Sequence, residues 1–135
     1  MCNSGILRAV ALISSLLPAS TSATPVRELS FPDRVAAQHA IEQVYFSHLT
    51  GTHRTFEQAV TQELIERKVS TYLKQSAALE QFWSTPVTAE MLRAESDRIG
   101  RNTRFTERLG EIRAALGNDA FLIQETLVRS TLVDR

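Results

Sequence analysis

The chain has 135 residues, sets 15 Lys and Arg against 15 Asp and Glu, and is 43% hydrophobic and 22% charged. This composition is too apolar for wholesale disorder and too neutral for the strongly basic footprint expected of a nucleic-acid-binding domain. Five Gly and four Pro are too few for a β fold that turns every ~8–12 residues, and the length allows one domain.

Residues 1–23 follow the order of a secretory signal peptide. Arg8 precedes the apolar run Ala9 to Leu17, Pro18 breaks it, and small residues lead to Ala23. The apolar run is about half of the ~20 residues that a membrane-spanning helix needs. The expectation is an exported chain, periplasmic or extracellular, with no stable membrane span after signal cleavage. A short buried N-terminal helix, or a poorly cleaved anchor, is the competing reading. Beyond residue 23, 112 residues remain, with 14 basic and 15 acidic side chains and no cysteine. A thiol nucleophile and a cysteine-ligated metal are therefore excluded there, and the core must hold without disulfides.

Residues 24–32 carry two prolines and no periodicity and read as a linker. Residues 33–135 read as one all-α domain, a long helix with three to four shorter ones. Asp33 is the expected N-cap of a first helix whose stripe is Val35, Ala37, Ile41, Val44, Tyr45 and His48, ended near Gly51. Thr61 to Trp83 is the longest uninterrupted pattern, with Leu64, Ile65, Val69, Tyr72, Leu73, Ser76, Leu79, Phe82 and Trp83 at helical spacing. Phe56 to Val60 is either its first turn or a separate short helix. Pro86 stops it, and Thr88 caps a helix defined by Met91, Leu92, Glu95 and Ile99 that runs to about Asn102. A further helix carries Leu109, Ile112, Ala115 and Leu116, with Gly117 at a left-handed C-cap. Asn118 or Asp119 caps the last, Ala120 to Arg129, with a final turn after Ser130.

The stretch Leu64 to Val133 combines a long helix, a proline-containing turn into a Thr-capped helix, a short helix ending in Leu-Gly and a helix opening on polar residues. In this order and punctuation it resembles the N-terminal helical chaperone region of SurA-type periplasmic parvulin peptidyl-prolyl isomerases, a relative of the trigger-factor C-terminal arms. The matching positions are Val87, Thr88, Glu90, Leu92, Ile99, Leu109, Leu116, Gly117 and Ile123. The family's opening strand-like segment has no counterpart in TPVRELSFP, and the parvulin domain expected after this region is missing, so isomerase activity is not expected. The resemblance implies a non-catalytic, chaperone-like domain that binds unfolded or newly exported polypeptide. The alternative is a helical interaction or scaffold domain forming the N-terminal part of a longer exported protein, such as a truncated peptidyl-prolyl isomerase.

A module of that kind needs exposed apolar surface with adaptable side chains. Phe82, Trp83, Val87, Met91 and Leu92 cluster at the turn between two helices and form the candidate peptide-binding groove; the competing reading buries all five in the hairpin's core. His39, His48 and His53 with Glu42 fit no compact metal motif, so neither a metal nor another cofactor is expected. Arg98, Arg101, Arg104 and Arg108 advance by three or four but are interrupted by acidic residues, which favours solvated surface over a nucleic-acid site. No G-x-S-x-G elbow and no glycine-rich phosphate loop occurs. No enzyme is expected.

Overall fold

A computed structural model describes residues 26–135; the expected signal segment, residues 1–23, lies outside the described residues. Regular structure among them is entirely helical: α1 (Phe31–Ser47), α2 (Phe56–Ala59), α3 (Gln62–Trp83), α4 (Ala89–Asn102), α5 (Thr106–Ala115) and α6 (Ala120–Ile123). A π-helical stretch, Gln124–Val128, then joins α6 without a break to α7 (Arg129–Val133). The described residues are all-α, with one long helix of 22 residues and shorter ones around it.

Local chemistry sets most helix starts. Thr55, Thr61, Thr88 and Asp119 each accept a backbone N–H from the first turn they precede. The α1 start departs from expectation. Ser30, not Asp33, is the N-cap, and Asp33 completes a capping box: Ser30 Oγ accepts from Asp33 N at 3.3 Å while Ser30 N donates to the Asp33 carboxylate at 3.0 Å. Hydrogen bonds from the Ser30 side chain and backbone hold the Asp33 carboxyl below the usual range. Pro32 is admitted because a first-turn position needs no N–H donor. The last two residues of the expected linker thus belong to α1. The rest of the arm is fastened: Arg27 Nη1 donates to Asp119 Oδ1 at 2.9 Å, and the guanidinium lies 4.8 Å above the Phe121 ring. Phe56–Ala59 is a separate helix, because Val60 is extended (φ −125°, ψ 92°) and a new cap follows.

α1 is the centre of the packing. Ala37 and Ile41 enter a core completed by Leu92 of α4, Ile112 and Leu116 at α5, and Ile123, Leu127 and Val128 of the last helix. The flank of α1 toward α3 carries Gln38 and Glu42, also buried, and α3 contributes Ile65, Val69 and Tyr72. Removing each large aliphatic side chain from water stabilises the fold by roughly 1.5–3 kcal/mol. The expected stripe of α1 is accordingly shifted: Tyr45 and His48 stay exposed, while Gln38 and Glu42 are covered because helices pack on two sides of it.

Two backbone features shape the ends. Gly117 and Asn118 are both left-handed (φ 66° and 53°), which turns the chain between α5 and α6. In the π stretch Thr126 is fully buried and its hydroxyl donates to the Leu122 carbonyl at 2.6 Å, so the buried hydroxyl is paired within its own helix.

Candidate functional site

The five residues singled out at the α3–α4 turn do not share one environment. Leu92 is 2% exposed and part of the core, Val87 packs against that core half-buried, and Met91 is half-buried. Phe82 and Trp83 are 73% and 66% exposed. The reason lies in helix length. The buried residues of α3 are Ile65, Val69 and Tyr72, and the last two turns, Ser76 to Trp83, place no side chain among the fully buried residues. The two aromatic rings stand edge to face, centroids 6.0 Å apart and planes at 80°, the arrangement favoured by the ring quadrupoles.

The turn that presents them is held by backbone geometry. Ser84 is left-handed (φ 51°, ψ 34°), Ser84 N donates to the Glu80 carbonyl at 3.1 Å and Thr85 N to the Leu79 carbonyl at 3.0 Å. Thr88 then opens α4 by accepting from Met91 N at 3.2 Å. The α3–α4 elbow therefore carries an exposed aromatic pair on a defined backbone, with Val87 and Leu92 tying the following segment to the core.

Three charged clusters escaped the sequence reading of site residues. Glu95 is 4% exposed and takes bonds from Arg98 Nε and Nη2 (2.8 and 2.6 Å) and from Arg135 Nη1 (2.8 Å). The bonded Arg98 holds its carboxyl below the usual range, against the opposing effect of burial and with help from Arg135. Glu125 accepts from Arg129 and from Arg34, whose Nη1 also donates to the Glu125 carbonyl at 2.6 Å. Burial pushes the Glu125 carboxyl up, but the two guanidiniums outweigh it and leave it below the usual range. Glu42 accepts from Gln38 at 2.7 Å and from Lys68 at 2.6 Å, joining α1 to α3. The signal that was available is Glu95 itself, a carboxylate on the apolar stripe of its helix; its partner Arg135 is 40 positions away and no spacing rule reaches it.

The remaining sequence candidates are dispersed. His39 meets Phe56 edge to face, ring centroids 5.0 Å apart, and His48 Nε2 lies 2.5 Å from Glu111 Oε2. Among the described residues no three His, Cys, Asp or Glu side chains come together in a way that could hold a metal ion. The arginine run is split, because Thr103 is extended between α4 and α5. An open groove of about 670 Å³ lies beside α3 and α7, with Arg67, Lys68, Gln75, Ser130 and Arg135 on its walls. Beside it the Tyr72 hydroxyl is buried with no hydrogen-bond partner among the described residues; burial pushes this phenol up, opposed by Arg34 and Arg129. Among the described residues no helix is long and apolar enough to cross a membrane.

In comparisons with known proteins, the chain matches no family model, no curated protein and no solved structure.

Proposed function

We propose that this chain is an exported, non-catalytic helical module that holds unfolded or newly exported polypeptide by reversible contact, with the α3–α4 elbow as its grip. The observation that carries the proposal is the Phe82–Trp83 pair, two large aromatic side chains left in water together at the end of the longest helix. Burying such a pair against a partner removes a large apolar area from water without requiring a sequence-specific partner, and aromatic residues are enriched where proteins meet other chains. Half-buried Met91 adds a flexible, polarisable rim that adapts to varied side chains. The order of helices, caps and turns that resembles the SurA-type chaperone region supports the same reading.

The test is suppression of aggregation of an unfolded outer-membrane-type protein by the purified chain. Suppression is expected at severalfold molar excess and is expected to be lost in the double variant Phe82→Ser, Trp83→Ser. Because both rings are exposed, that variant should keep its stability within about 0.5 kcal/mol of the parent. A parent chain that fails to suppress aggregation, or a double variant as active as the parent, overturns the proposal.

A further inference from the structure

A second apolar recess lies apart from the aromatic elbow and shares none of its residues. Ile99 of α4, Leu109 and Ile112 of α5 and Leu127 of the π stretch form its walls, and Tyr45, Phe105 and Arg108 stand around it. Its volume is about 250 Å³, below the ~300–1,000 Å³ typical of pockets for drug-sized ligands, so it suits a single large apolar side chain.

Arg108 makes this recess more than a packing gap. Its Nε is buried and has no hydrogen-bond partner among the described residues. No carboxylate among them pairs with its guanidinium, which instead lies 4.8 Å above the Phe105 ring. A buried donor without an acceptor is costly, and a guanidinium is built to receive a carboxylate through two parallel bonds. The surrounding charges leave that role open. Glu111 is engaged by His48, and the adjoining rim adds Arg104 as well as Glu107. Phe105, 61% exposed, extends the apolar wall outward.

We propose that this recess binds the C-terminal end of a polypeptide whose last residue is apolar, the side chain entering between Ile99, Leu109, Ile112 and Leu127 and the terminal carboxylate meeting Arg108. A terminal residue carries its carboxylate one carbon from the side chain's root, which matches a cation at the edge of a one-side-chain recess. A long-chain fatty acid overfills that volume, and a medium-chain one has no peptide backbone to hold its carboxylate beside the recess.

Calorimetric titration of the full chain with acetyl-Gly-Gly-Phe as free acid, with its C-terminal amide and with octanoate tests the assignment. The free acid is expected to bind at least tenfold more tightly than the amide, and Arg108→Gln is expected to reduce its affinity by a similar factor. Equal binding of acid and amide, no binding of the acid at millimolar concentration, or octanoate binding in preference to the peptide overturns it. The acid–amide comparison uses the parent chain alone, so the test stands even where Arg108→Gln fails to fold. The outcome is independent of aggregation suppression by the Phe82–Trp83 elbow.

Discussion

Glu95 shows how a single side chain can bind distant parts of the chain. Its carboxylate is buried on the face of α4 that meets the last helix, where an unpaired charge would cost several kcal/mol. Arg98 supplies two bonds from one turn along α4, and Arg135 supplies another from 40 positions further along the chain. Replacing Glu95 with Gln keeps the shape but removes the charge. The loss expected is about 1–3 kcal/mol, the range for a buried charge-assisted bond, held down because both arginines reach solvent. The carboxyl is depressed in the folded state, so its stabilisation is present above its unfolded value of about 4.3 and is lost as the pH falls through the lower folded value. Urea midpoints of parent and Glu95→Gln should differ at neutral pH and converge on acidification. A gap independent of pH would show that packing, not charge, accounts for the difference.

At the scale of the elements, caps and breaks govern where the elbow points. Ser84 ends α3 in the left-handed region, where a residue with a Cβ is disfavoured by roughly 1–2 kcal/mol. Glycine has no such penalty but adds freedom to the unfolded chain. Ser84→Gly is therefore expected to raise stability by a net ~0.5–1 kcal/mol, read as a higher denaturant midpoint with an unchanged slope. Element types were legible in the sequence because they rest on local chemistry: Thr88 and Asp119 cap where a short polar side chain precedes a periodic run, and Gly117 turns where expected. The start of α1 was less legible. The spacing points to Asp33 as the cap and leaves Ser30 in the linker, whereas the reciprocal bonds between them make Ser30 the cap and Asp33 its partner. The π stretch had no periodic signature, since Gln124–Val128 still looks helical in sequence and differs only in where its carbonyls find donors.

For the molecule as a whole, α1 joins two packed seams, one against α3 with Ile65, Val69 and Tyr72, the other against α5 and the last helix, on which α4 packs in turn. The last helix also meets α3 through α7, which closes the arrangement. With α1 common to both seams, unfolding is expected to be one cooperative transition. Ile65→Ala in the first seam and Ile112→Ala in the second should each lower that same transition by about 2–5 kcal/mol. Circular dichroism at 222 nm and near-ultraviolet tyrosine signals should give coincident curves; separated curves would assign each seam its own unfolding unit. Read by itself, the sequence determined the helical class, the long α3 and the caps, because each depends on residues within a turn or two of one another. Which apolar residues are core and which remain in water was decided by the tertiary structure. Leu92 and Trp83 both fit a buried stripe, yet only the first has neighbouring helices against it, whereas the last turns of α3 reach past the side chains that could have covered Phe82 and Trp83.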